Sequence, residues 1–144
     1  GLIAIGITAV GRDYEHLVKG EGGSPSEEDK RQAFRYIRDA SRILSANGAN
    51  IIKTYYVDGF EDVVNSCSSP IVIAGGTKRD STEEVLDFTY RAIQAGAIGV
   101  DMGRNIFQDE HPVAMIQAIK LVVHEGYSVD KALKRYNEFA KKGA

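Results

Sequence analysis

The sequence predicts an α/β protein built on a parallel sheet. Three observations point there. Short β-branched, apolar stretches recur four times along the 144 residues, each followed by a helical stretch. The first of them, Leu2-Ile3-Ala4-Ile5-Gly6-Ile7-Thr8, is a nearly continuous apolar run, as expected of a strand covered on both faces. Glycine turns follow the third and fourth strands, not the first.

The apolar run over residues 1–10 reads as a buried strand, not a signal-peptide core, because no basic residues precede it. It is also too short to span a bilayer, which takes about 20 apolar residues. The chain carries no initiator methionine, as expected of a piece of a longer protein. A polar connection over residues 11–23 carries Arg12, Asp13, His16 and Lys19. Ser24 is predicted as the next N-cap, with Pro25 at the first helical position and Glu27 closing a capping box. That helix keeps Phe34, Ile37, Ser41 and Leu44 on one stripe and ends at Gly48, a left-handed cap.

The second strand, Asn50-Ile51-Ile52-Lys53-Thr54-Tyr55-Tyr56, places Ile51, Lys53 and Tyr55 on one face and Ile52, Thr54 and Tyr56 on the other. Gly59-Phe60-Glu61 opens a short helix through Val63 and Val64. The third strand, Pro70-Ile71-Val72-Ile73-Ala74, runs into Gly75-Gly76. Ser81-Thr82-Glu83-Glu84 is a second capping box, and its helix carries Leu86, Thr89, Tyr90 and Ile93 before stopping at Gly96. Residues 98–102 form the fourth strand, and Gly103-Arg104-Asn105-Ile106-Phe107 a short extra helical turn. Two closing helices cover residues 112–124 and 128–141, the second with Val129, Leu133, Tyr136 and Ala140 on one face. The segment Ala46-Asn47-Gly48-Ala49-Asn50-Ile51-Ile52 is echoed by Gln94-Ala95-Gly96-Ala97-Ile98-Gly99-Val100, two βα units later.

Four βα units fit either an open doubly wound sheet or half of an eight-stranded barrel. A dinucleotide-binding sheet would cluster its glycines after the first strand. Here they follow the third and fourth, where barrels build phosphate sites from the late loops and a short extra helix. Glycine there lets an anion approach backbone N–H groups closely.

Composition excludes several classes. The net charge of -2 gives no reason to expect nucleic acid or an anionic membrane as partner. The only cysteine, Cys67, excludes an intrachain disulfide and fits a reducing, cytoplasmic setting. His16, His111 and His124 lack metal-ligand spacing, so no metal site is expected.

Lys53 is the residue with chemistry to offer. Burial in a sheet covered on both faces would penalise its ammonium and supply a free amine for Schiff-base formation. A lysine snorkelling to water at a strand end is the plainer alternative.

Three blocks now carry a resemblance: Ile51-Ile52-Lys53-Thr54-Tyr55-Tyr56, the strand ending in Gly75-Gly76, and Gly99-Val100-Asp101-Met102-Gly103-Arg104-Asn105-Ile106-Phe107-Gln108. Together they resemble the class I aldolases of the DeoC/archaeal fructose-bisphosphate aldolase superfamily. Thr8-Ala9-Val10-Gly11-Arg12-Asp13 and Asp109-Glu110-His111-Pro112-Val113-Ala114-Met115 are similar to its thiolase branch, which acts on 3-hydroxy-5-phosphonooxypentane-2,4-dione in autoinducer-2 breakdown. Archaeal fructose-bisphosphate aldolases carry a Tyr-Pro-Arg-Gly-like turn where this chain has Ala9-Val10-Gly11-Arg12.

The resemblance implies the C-terminal half, strands 5–8, of a TIM (βα)8 barrel over residues 1–144, incomplete without an N-terminal half or self-association. It implies a Schiff-base lysine at Lys53 and a substrate phosphate held by Gly75, Gly76, Gly103 and Arg104. Tyr55 and Asp101 are further pocket candidates; for Asp101 the favoured role is structural, orienting the Arg104 loop. His16 and Arg12 belong to a loop on the same side. The expected activity is cleavage of a C–C bond in a phosphorylated ketose or diketone by a homo-oligomer. The thiolase version transfers an acetyl group to coenzyme A, with no bound cofactor; the alternatives are a fructose-bisphosphate-type aldolase and a non-catalytic phosphate-binding half-barrel.

Overall fold

The computed structural model describes residues 1–8 and 25–142. Strands β1 (Ile5–Ile7), β2 (Ile51–Thr54), β3 (Ile71–Ala74) and β4 (Gly99–Asp101) form one parallel sheet in the order β1-β2-β3-β4. A doubly wound sheet needs that order to reverse at a switch point, and here it does not. Helices α1 (Glu27–Ala46), α2 (Phe60–Asn65) and α3 (Thr82–Gln94) make the crossovers. After β4 come α4 (Arg104–Phe107), α5 (Pro112–Glu125) and α6 (Val129–Lys142). Among the described residues, no helix is long and apolar enough to cross a membrane.

Strand alternation divides the sheet into a covered and a bare face. Thr8, Ile52, Thr54, Ile71, Ile73 and Met102 are buried, and with them Ile37, Phe60, Val63, Leu86, Ala92 and Met115 from the helices. On the other face Ile5 and Ile7 are 57% and 59% exposed. The expectation of a first strand covered on both sides is therefore corrected: its alternate isoleucines meet water because the described helices pack on one face only. Leu2 and Ile3 are exposed too, and the strand itself is shorter than the predicted run.

The helix boundaries have local causes. Ser26, not Ser24, caps α1: its Oγ accepts from the Asp29 N–H at 3.2 Å, while Asp29 Oδ2 accepts from the Ser26 N–H at 2.9 Å. The helix accordingly starts at Glu27, with Pro25 outside it. Ser81 caps α3 as expected, accepting from the Glu84 N–H; the Glu84 carboxylate reaches back to the Asp80 N–H, one residue before the cap. Gly48 and Gly96 both take left-handed φ values, +89° and +96°, where a side chain would be strained. The Tyr136 hydroxyl of α6 donates to Asp109 Oδ1 at 2.7 Å, tying the last helix to the segment before α5.

Ser41 is the exception in the core. It is fully buried on the apolar stripe of α1, and its Oγ has no hydrogen-bond partner among the described residues. An unpaired buried hydroxyl costs stability that an apolar replacement recovers. Ser41→Ala should raise stability by about 1 kcal/mol, read as a higher urea midpoint at unchanged slope.

Candidate active site

The parallel register sets the geometry. Lys53 stands opposite Val72 of β3, which stands opposite Gly99 of β4; two pairs further on, Ala74 stands opposite Asp101. Lys53, Val72, Ala74 and Asp101 share the bare face, since the alternate residues Ile52, Ile71 and Ile73 are buried on the other. Adjacent strands are about 4.8 Å apart, so β2 and β4 lie roughly 10 Å apart. A long side chain can bridge that distance across β3, and Lys53 does. Its Nζ lies 2.9 Å from Asp101 Oδ2.

One expectation is corrected here. The Lys53 side chain is 28% exposed and ion-paired, not held dry, because the face on which it stands is open. The Asp101 carboxylate is the lysine's partner, 58% exposed. An open ion pair of this kind contributes little to stability, so its interest is chemical: a carboxylate in hydrogen-bond reach of an amine can exchange a proton with it.

The glycine turns adjoin this pair. The Gly75 N–H donates to the Asp101 carbonyl at 3.2 Å, so the end of β3 is tied directly to the residue that holds the lysine. A Cβ on Gly75 would lie 2.7 Å from Met102 Cγ and 2.9 Å from its Cβ, so glycine is needed for the two strand ends to approach. Gly76 has φ +69°, with nothing within 4 Å of an added Cβ, so open space lies above the turn. Gly103 precedes α4, and both it and Arg104 are exposed. Tyr55 lies beyond the end of β2, half-buried against the core. Arg12, His16 and Ser24 fall outside the described residues.

Sequence reasoning missed the residues that join the two turns. Asn105 of α4 is 2% exposed and reaches back to the β3–α3 loop. Its Nδ2 donates to the carbonyls of Gly75 and Thr77, both at 3.0 Å, and its Oδ1 accepts from the Arg79 N–H at 2.8 Å. Arg79 Nη1 donates to the Gly75 carbonyl at 2.8 Å while its guanidinium stacks on Phe88 at 3.7 Å. Lys78 Nζ donates to the Gln108 carbonyl at 2.6 Å. The only signal was an asparagine following Arg104 in a short helical turn, and that does not name a partner.

Substitutions at the glycine pair should separate packing from backbone strain. Gly75→Ala is expected to cost about 1–3 kcal/mol by forcing Met102 aside, and Gly76→Ala about 1–2 kcal/mol through its left-handed backbone alone. Urea unfolding of both variants checks this ordering.

A family model described as DeoC/LacD family aldolase matches residues 17–109. The chain is 44% identical over 137 residues to a 3-hydroxy-5-phosphonooxypentane-2,4-dione thiolase of Escherichia coli (strain K12), covering 94% of this chain and 41% of that protein. It is 52% identical over 110 residues to an uncharacterized aldolase of Pasteurella multocida, covering 76% of this chain and 38% of that one. An archaeal fructose 1,6-bisphosphate aldolase structure aligns with TM-score 0.59 at 27% identity, over 72% of this chain and 41% of that chain. A Schiff base forming fructose-1,6-bisphosphate aldolase aligns with TM-score 0.60 at 27% identity, over 72% and 42%. The chain thus spans less than half the length of these relatives. Over the part that it spans, the chain belongs to the DeoC/LacD family of aldolases.

Proposed function

We propose that this chain is the C-terminal half, strands 5–8, of an eight-stranded barrel, and that the complete protein cleaves a C–C bond of a phosphorylated ketose or diketone through Lys53. The observation that carries the reading is the Lys53–Asp101 pair at 2.9 Å beside the two glycine turns. Asp101 takes the proton of the ammonium, and the free amine adds to the substrate carbonyl. Asp101 returns that proton to the carbinolamine hydroxyl, which leaves as water to give an iminium. As the C–C bond breaks its electrons flow into the iminium to give an enamine, and in the aldolase version the other fragment gives up its hydroxyl proton and departs as a carbonyl compound. A carbinolamine on the catalytic lysine of an archaeal fructose-1,6-bisphosphate aldolase, a structure 26% identical, supports this order of events.

The phosphate is assigned to the amides of Gly76 and Gly103, with the exposed Arg104 side chain as counter-charge; Gly75, whose N–H donates to the Asp101 carbonyl, serves the seat by letting the two strand ends approach. Open space above Gly76 and the absence of Cβ atoms suit an anion approaching the backbone. The thiolase version is favoured by the 44% identity to a protein of that name. In it, coenzyme A is the co-substrate whose sulfur receives the acetyl group. Tyr55 keeps its place as a pocket candidate from the upper end of β2.

A missing N-terminal half is supported by the bare apolar face, on which Ile5 and Ile7 stand exposed, and by the chain's share of its relatives' length. A full barrel typically needs about 250 residues. The residues before Gly1, or a second copy, would cover that face.

Borohydride reduction in the presence of dihydroxyacetone phosphate tests the chemistry on the full-length protein. A stable adduct should form on Lys53, located by peptide mass spectrometry, and be absent from Lys53→Met; no adduct would end the imine version. Asp101→Asn keeps the shape but loses the base, and should slow trapping by roughly 10²-fold or more. The isolated chain should elute from a sizing column as an oligomer; a stable, active monomer would contradict the half-barrel.

A further inference from the structure

The Asn105 side chain sits behind the anion seat rather than in it. It is buried, comes from α4 just after β4, and makes three hydrogen bonds, all to the loop after β3. The partners fix its orientation, since two carbonyls require the NH₂ group and the Arg79 N–H requires the oxygen. The Gly75 carbonyl receives a second donor from Arg79, whose guanidinium is pinned on the Phe88 ring. Backbone carbonyls are the groups an incoming phosphate must not meet. Here those of Gly75 and Thr77 are both turned inward and neutralised by amide N–H donors.

We infer that Asn105, seconded by Arg79, is a positioning residue for phosphate recognition: it holds two carbonyls of the Gly75–Gly76 turn away from the ligand and fixes the two glycine turns at one spacing. The inference rests on the phosphate assignment made above, and concerns a side chain that does not itself touch the anion. Backbone donors aimed by a rigid support bind an anion without reorganising, and a misplacement of about 1 Å is enough to lose most of that advantage. Recognition of a phosphorylated substrate should therefore depend on Asn105 while the amine chemistry of Lys53 does not.

The experiment compares dihydroxyacetone phosphate with dihydroxyacetone in borohydride trapping on Lys53, using the full-length protein, wild type against Asn105→Ala and Asn105→Asp. Asn105→Asp preserves volume but turns an oxygen toward both carbonyls. In both variants the concentration of dihydroxyacetone phosphate for half-maximal trapping should rise on the order of tenfold or more, with that for dihydroxyacetone unchanged. Arg79→Lys, which keeps the charge and loses the stacked fork, should show a smaller shift of the same selectivity. It serves as the test if the Asn105 variants do not fold. Folded variants with unaltered preference for the phosphorylated ketone would overturn the inference, as would equal weakening toward both ketones. If the wild type makes no distinction between the two ketones, the phosphate assignment itself fails and this inference with it.

Discussion

A lysine and an aspartate from strands that are not neighbours meet above the strand between them, and the site depends on that meeting. The parallel register puts Asp101 two residues further along the sheet than Lys53, on the same face, so the pair crosses β3 between Val72 and Ala74. A slip of one residue in either strand would move one partner to the helix-covered face and leave the other alone. The covered face fixes that register, because Ile52, Ile71 and Ile73 must all be buried together. Packing on one side of the sheet thus sets the chemistry available on the other.

The second constraint is the closeness of the ends of β3 and β4. Gly75 has no Cβ to strike Met102, and its N–H is spent on the Asp101 carbonyl, so the glycine turns and the ion pair become parts of one assembly. Asn105 then ties the loops above them. In the proposed function, an amine and an anion seat on strand ends with buried supports would hold a substrate by its non-reacting end while chemistry proceeds at the other.

Much of this was legible in the sequence wherever the physics is local. The strands, the stripe of α1, the short helix opening at Gly59 and the left-handed glycines at Gly48 and Gly96 all follow from neighbouring residues. The start of α1 was misplaced because two capping frames overlap in the sequence, Ser24 to Glu27 and Ser26 to Asp29, and the helix begins at Glu27 with Ser26 as its cap. Lys53 stood out as a charge inside a strand. Its partner did not, since pairing it with Asp101 requires knowing that β3 lies between their strands. The state of the amine was misjudged for a related reason: a continuous apolar run argues for two covered faces, and the described part of the chain supplies cover for only one. Asn105 was invisible because its three bonds cross 26 to 30 residues of chain.

The most direct test of a single site uniting amine and anion seat is a crystal structure of the full-length protein after borohydride reduction with dihydroxyacetone phosphate. The account predicts a carbon bonded to Lys53 Nζ, with the phosphate of the same molecule in hydrogen-bond reach of the Gly76 and Gly103 amides. A reduced adduct on Lys53 with its phosphate directed away from both glycine turns would contradict it.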